Sequence, residues 1–232
     1  MWLLVAAALN VAPVSIHLSQ DSPSALVALK NEGADAVRVQ LTVHAWQEGP
    51  EGQIVLQPTS ELELFPPLLQ LASGEKRNIR VGTTARTAAR ERSYRLVIDE
   101  LPSPLPPGRG LQIPTLTRLS LPVFLEPAAR VVQASVTAMS LRGGRLSFAL
   151  ANAGTVHVRP SAVQVRAADA AGATVLEQRW DGWYLLPGGV RRYELRVARA
   201  DCARIANVFV EAPGEEGAIA SSWRPPTGGC GR

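Results

Sequence analysis

Residues 91–127 read ERSYRLVIDELPSPLPPGRGLQIPTLTRLSLPVFLEP. Two runs rich in Leu, Ile, Val and aromatic residues, Ser93 to Leu101 and Leu111 to Leu125, flank a stretch of Pro and Gly from Pro102 to Gly110. The turn residues break any helical period, so a β-hairpin is the simplest structure for this pattern. Its second strand keeps apolar residues at alternate positions, Leu111 and Ile113 and then Leu119, Leu121, Val123 and Leu125, for longer than an ordinary strand. A strand that long either spans two sheets or offers part of itself to a partner.

The same alternation recurs on both sides of the hairpin. Val37, Val39, Leu41, Val43 and Ala45 alternate with Arg38, Gln40, Thr42, His44 and Trp46, the cleanest period-two signal in the chain. Trp46 falls on the polar face of that pattern, where it either caps an end of a sandwich or marks a change of register. Val11 to Leu18 reads as an edge strand with Pro13 near its start, and Ile79 and Val81 point inward from Lys76 to Val81. Outside the N-terminal apolar stretch, no window shows a 3.6-residue period with caps at both ends. The class is all-β, with turn spacing that favours Greek-key sandwiches.

Glu126-Pro127-Ala128-Ala129 is a short Pro-stiffened linker, and 232 residues suit two domains of about 100 to 120 residues each. The expected division is 1–10, 11–126 and 127–232. Met1 to Ala8 is either the remnant of a secretion signal or the hydrophobic start of a first strand. The two halves share turns: Ala28-Leu29-Lys30-Asn31-Glu32-Gly33 matches Ala149-Leu150-Ala151-Asn152-Ala153-Gly154, and Ile79-Arg80-Val81 after Gly74 echoes Leu195-Arg196-Val197 after Pro187-Gly188-Gly189. An internal duplication of one sandwich accounts for both.

The formal charge is +4 and the 24 Lys and Arg are scattered, which argues against a nucleic-acid partner. No nucleophile elbow, P-loop, dinucleotide fingerprint or zinc signature is present, and the neighbouring carboxylates Asp99 and Glu100 point to opposite faces of a strand. No catalytic residue, metal, cofactor or small-molecule substrate is therefore expected. Cys202 and Cys230 are equidistant from a turn near Glu216, so either they form a disulfide across a hairpin or they are two buried thiols. Arg95 lies within Tyr94-Arg95-Leu96-Val97-Ile98, where an unpaired cation is costly, and Arg118 lies on the next strand. Either the two bracket a carboxylate, or they face solvent or pair with Glu91, Asp99 or Glu126.

Ser93-Tyr94-Arg95-Leu96 with Asp99-Glu100-Leu101-Pro102, followed by Arg118-Leu119-Ser120-Leu121-Pro122-Val123-Phe124, resembles the first-domain hairpin of periplasmic pilus-assembly chaperones of chaperone-usher systems, and is most similar to their archaic branch. Asn31-x-Gly33, Val39-Gln40 with Trp46, Pro66-Pro67 and Gly74-Glu75-Lys76 fit the same family, over about residues 11 to 127. The resemblance implies two immunoglobulin-like Greek-key sandwiches in a boomerang. Such a protein binds incomplete pilus subunits by donor-strand complementation and passes them to an outer-membrane usher, without ATP or metal. It implies a donor segment of Leu111, Ile113, Thr115, Leu116 and Thr117, with Pro114 interrupting the ladder. In the better-known branch an Arg on the first strand and a Lys on the donor strand hold the subunit's terminal carboxylate. Here Val14 to Ser19 has neither residue and Ser120 stands at the Lys position, so the resemblance assigns the anchor to Arg95 with Arg118 as helper. The alternative is a secreted β-sandwich that is itself a structural subunit or adhesin; such a protein carries a donor extension for which the start of this chain leaves no room.

Overall fold

The computed structural model describes residues 9–49, 52–102, 115–226 and 230. Leu111 and Ile113 of the expected donor segment lie outside the described residues, as does Met1 to Ala8. By its contacts the chain divides into two units: residues up to Gln47 with Val55–Ala88 and Arg92–Pro127, and Glu48–Ile54 with Ala89–Glu91 and everything from Ala128 onward.

The first unit holds β1 (Leu9–Ala12), β2 (Ile16–Leu18), β3 (Ser24–Asn31), β4 (Val37–Glu48), β5 (Ile54–Pro58), β6 (Leu62–Phe65), β7 (Leu68–Leu71), β8 (Lys76–Thr83), β9 (Arg92–Leu101) and β10 (Arg118–Leu125), except that Glu48 and Ile54, at the adjoining ends of β4 and β5, count with the second. One sheet has the order β1-β3-β8-β6; the other runs β2-β10-β9-β4-β5, with β7 also on β4. Leu29, Ile79 and Val81 of the first sheet meet Leu41, Leu96, Ile98 and Val123 of the second in one buried core. The chain changes sheet at two prolines. Val11 to Leu18 is not one edge strand: β1 pairs antiparallel with β3, and β2, beyond Pro13, pairs parallel with β10. Pro66-Pro67 separates β6 from β7 in the same way. Proline has no N–H to continue a ladder, so each break is also a point where the chain can cross to the other layer. Leu9 and Asn10, counted with the N-terminal segment in the sequence, pair with Asn31 and Lys30 in β1.

The second unit holds β11 (Ala134–Arg142), β12 (Arg145–Asn152), β13 (Ala162–Ala168), β14 (Thr174–Asp181), β15 (Val190–Arg196), the short helix α1 (Arg199–Cys202), β16 (Asn207–Ala212) and β17 (Ile219–Trp223). Sheets β11-β12-β15 and β14-β13-β16-β17 close over a core that includes Leu146, Phe148, Val163, Val165, Val208 and Val210. Phe148 stacks on Tyr193 with ring centroids 5.1 Å apart, and Trp180 meets Tyr193 at 5.3 Å. Two short segments from earlier in the chain complete this unit. Glu48 Oε2 accepts the Leu186 N–H at 3.0 Å, and the buried Glu91 carboxylate lies 2.8 Å from His157 Nδ1. Nothing in local composition marks those segments as belonging there. Cys202 on α1 and Cys230 are joined as a disulfide, with Cα atoms 5.7 Å apart. The β16–β17 register, with Ala212 opposite Ile219, centres that hairpin between Glu215 and Glu216.

Candidate functional site

β9 is the spine of the larger sheet in the first unit, with β4 on one side and β10 on the other. Its inward residues Tyr94, Leu96 and Ile98 belong to the core. The Tyr94 hydroxyl donates to Glu61 Oε2 at 2.6 Å, and burial, followed by that carboxylate, pushes the phenol's pKa up. Ser93, Arg95 and Val97 alternate with them on the outer face, yet all three are buried. The neighbours behave alike. On β4 the outer residues pass from exposed Arg38 and Gln40 to buried Trp46; on β10 they pass from exposed Arg118 and Ser120 to buried Pro122 and Phe124. One end of a nominally polar sheet face is therefore closed.

Arg95 lies at the centre of that closed end, 4% exposed. Its Cζ is 3.8 Å from the centroid of the Trp46 ring, and Nη1 donates to the Ser120 carbonyl at 3.4 Å. Trp46 in turn meets Phe124, with centroids 6.1 Å apart, and Phe124 meets His17 at 5.4 Å. A guanidinium held by its face against an indole keeps its in-plane N–H groups directed along the ring plane, where a carboxylate is bound bidentately. The strands fix these positions: Arg95 is opposite His44 on β4 and Pro122 on β10. Trp46 needs no change of register; β4 runs unbroken to Glu48 and Trp46 is simply buried on its outer face.

Arg118 does not converge on this point. It pairs with Asp99 on β9, four residues along the ladder from the Arg95–Pro122 pair, about 13 Å of strand. Its guanidinium engages both oxygens of the Asp99 carboxylate, Nη2 lying 3.2 Å from Oδ2, and that bond raises the Arg118 pKa further. The side chain is 73% exposed.

Of the expected strand from Leu111 to Leu125, Arg118 to Leu125 form β10. Thr115, Leu116 and Thr117 are described but are not part of the ladder, and Thr115 and Leu116 are exposed. Glu100 explains the boundary. Its N–H donates to the Thr117 carbonyl at 2.9 Å, but its side-chain Oε2 takes the Thr117 N–H at 3.0 Å, replacing the backbone carbonyl that would continue the pairing. β10 also has an open side. β9 covers one edge along its whole length, whereas β2 covers the other only from Val123 to Leu125. Among the described residues no strand pairs with that second edge from Arg118 to Pro122. No group of three His, Cys, Asp or Glu among the described residues is placed to hold a metal ion.

Arg95 was visible in sequence as a cation inside an apolar run. Its aromatic surroundings were not, because Trp46, Phe124 and His17 come from three other strands; the signal available was a large aromatic residue on the polar face of β4.

Residues 8–130 match the family model described as "Pili and flagellar-assembly chaperone, PapD N-terminal domain". A search of curated proteins gives no match. Among solved structures, the complex of CsuC chaperone and CsuE tip adhesion subunit from the archaic chaperone-usher Csu pili of Acinetobacter baumannii matches with a TM-score of 0.62 and 20% identity, over 94% of this chain and 98% of that one. The class 5 fimbriae chaperone CfaA gives 0.60 and 14%, over 94% and 100%. The Salmonella enterica SafA pilin–SafB chaperone complex gives 0.60 and 13%, over 93% and 96%. At these identities the structures establish a shared two-domain β-sandwich fold. The family match, spanning more than half of the sequence, goes further: the chain belongs to the pili and flagellar-assembly chaperones.

Proposed function

We propose that this chaperone works in the periplasm, completing unfinished pilus subunits with the strand that leads into β10 and passing them to an outer-membrane usher. The observation that carries this reading is the open edge of β10. Among the described residues no strand covers that edge from Arg118 to Pro122, which leaves its backbone groups, other than the Ser120 carbonyl that Arg95 takes, for an added strand, and exposed Leu116 lies just upstream. Main-chain bonds to that edge supply affinity, and alternate side chains of the donor segment, from Leu111 and Ile113 through Leu116, supply binding area. Arg95 takes the carboxylate that ends the subunit, which fixes how far the partner strand slides along the edge. The solved complexes of relatives with a tip adhesion subunit and with a pilin support this choice of partner.

Co-expression with small secreted pilins encoded beside this gene tests the reading. The expected product is a soluble one-to-one complex in which amide exchange slows over residues 115 to 122, and Arg95→Ala abolishes it. Unchanged exchange would remove the strand-addition mechanism; wild-type yield of the Arg95→Ala complex would remove the carboxylate anchor.

A further inference from the structure

We infer that Trp46 and Ser93 are positioning residues for Arg95, and that they give the site a preference for a chain ending in a free carboxylate over the same chain ending in a neutral group. The inference rests on the reading of Arg95 as the carboxylate anchor. It concerns residues to which that reading gives no role.

The geometry of three adjacent strands points to it. β4 pairs with β9 up to Ala45 and Tyr94, so the next residues outward, Trp46 and Ser93, share the outer face with His44 and Arg95. On the other side of β9, Ser93 is directly opposite Phe124. The Trp46 and Phe124 rings therefore approach each other across Ser93, and their centroids come within 6.1 Å. A hydroxymethyl group is small enough to lie beneath two meeting rings; a larger side chain at this position would hold them apart. With the rings together, the indole lies against the Arg95 guanidinium at 3.8 Å. Phe124 is 0% exposed and itself backed by His17, so Trp46 is pressed from behind.

Two consequences follow from the chemistry of guanidinium. Stacking occupies the face of the cation and not its N–H edge, where Nη1 donates to the Ser120 carbonyl; a guanidinium carries five N–H donors, so one group can be held by an aromatic ring and bind a carboxylate at the same time. Lysine has no such face, and its ammonium would be neither oriented by the indole nor matched to two oxygens. An immobilised edge distinguishes a planar carboxylate from an amide, whose NH2 presents donors to donors.

The test uses the full-length protein and a soluble strand peptide of alternating threonine and valine, prepared once with a free C-terminal carboxylate and once as the C-terminal amide. Wild-type protein is expected to bind the acid about tenfold or more tightly than the amide, the size of a charge-assisted hydrogen-bond pair. Trp46→Phe, which keeps an aromatic face, and Ser93→Ala, which keeps the space, retain that ratio. Trp46→Leu and Ser93→Leu bring it close to one, weakening the acid more than the amide. An undiminished ratio in Trp46→Leu would overturn the inference even if Ser93→Leu does not fold. Equal binding of acid and amide by the wild type, absence of binding included, would instead overturn the anchor reading, and this inference with it.

Discussion

Asn31 and Asn152 make equivalent hydrogen bonds in the two halves of the chain, Asn31 adding one from Nδ2 to the Ala72 carbonyl at 3.1 Å. Each accepts from a glycine N–H two residues on, Gly33 and Gly154, at 2.9 Å. Each donates its Nδ2 to the carbonyl four residues on, Asp35 and Val156, both at 2.8 Å. Each also donates to a distant leucine carbonyl, Leu71 at 3.2 Å and Leu185 at 2.9 Å. The backbones agree too: Gly74 and Gly188 donate to the Asn31 and Asn152 carbonyls, and both glycines have positive φ, +74° and +80°. Both asparagines are buried, so truncation leaves carbonyls without their donor. Asn31→Ala and Asn152→Ala are each expected to lower stability by about 2–4 kcal/mol. Urea unfolding of the single variants checks this, and aspartate at either position should not restore the loss, since it can accept from the glycine but has no N–H for the carbonyls.

This equivalence shows what sequence could and could not convey. The Asn-x-Gly pair was legible because the motif is local, and the core strands β4 and β9 were legible because alternation is local as well. The alignment of β8 with β15 was not. Lys76 is opposite Lys30 and Val190 is opposite Ala151, so Ile79 and Val81 correspond to Tyr193 and Leu195. The sequence match to Leu195-Arg196-Val197 is displaced by two residues, the one slip that a period-two pattern cannot reveal. The Arg95 site divides along the same line. The cation was conspicuous in its apolar run, but the faces of Trp46 and Phe124 that hold it depend on strand register, and the Asp99 that diverts Arg118 is its cross-strand neighbour on β9, nineteen positions away in the chain.

Arg118 and Asp99 form an exposed pair, and such pairs contribute little to stability. Arg118→Ala is therefore expected to leave the unfolding midpoint nearly unchanged, the more so as salt is raised. Because its guanidinium is committed to Asp99 and lies four residues from the Arg95 position, the substitution should change the affinity for a pilin by less than about threefold. Surface plasmon resonance on the immobilised chaperone separates this outcome from the large loss expected for Arg95→Ala. A comparable loss for Arg118→Ala would restore a two-arginine anchor.

The bond between Cys202 and Cys230 closes a loop with a sequence separation of 28. By the entropy of loop closure, a cross-link of that span stabilises by about 3.5 kcal/mol. The double variant Cys202→Ser/Cys230→Ser should lower the unfolding midpoint of the second unit and leave the first unchanged, because Cys202 belongs to the core of the second unit and Cys230 packs against it. Differential scanning calorimetry resolves the two transitions if they separate. Thiol titration of the denatured, unreduced wild type should find no reactive sulfhydryl; two would show that the bond does not form.

Two glutamates bias stability in opposite directions with pH. Glu75 accepts the Ala72 N–H at 2.8 Å and an Arg77 Nε–H at 2.6 Å, and these bonds, the backbone one foremost, hold its pKa below the ordinary 4.5. The unfolded chain then binds the proton more readily, so this contribution is fully present above pH 4.5 and is lost as pH falls through the folded value. Glu48 is the reverse. Burial raises its pKa above 4.5 despite the Leu186 N–H and Arg191, so the folded state takes up the proton first, and stability declines as pH rises from 4.5 through the folded value. Urea midpoints measured from pH 3 to pH 8 should therefore show a shallower acid limb in Glu75→Gln, and in Glu48→Gln a loss of the decline above pH 4.5. If Glu75→Gln follows the wild-type acid limb, the turn that Glu75 caps is not what the acid disrupts.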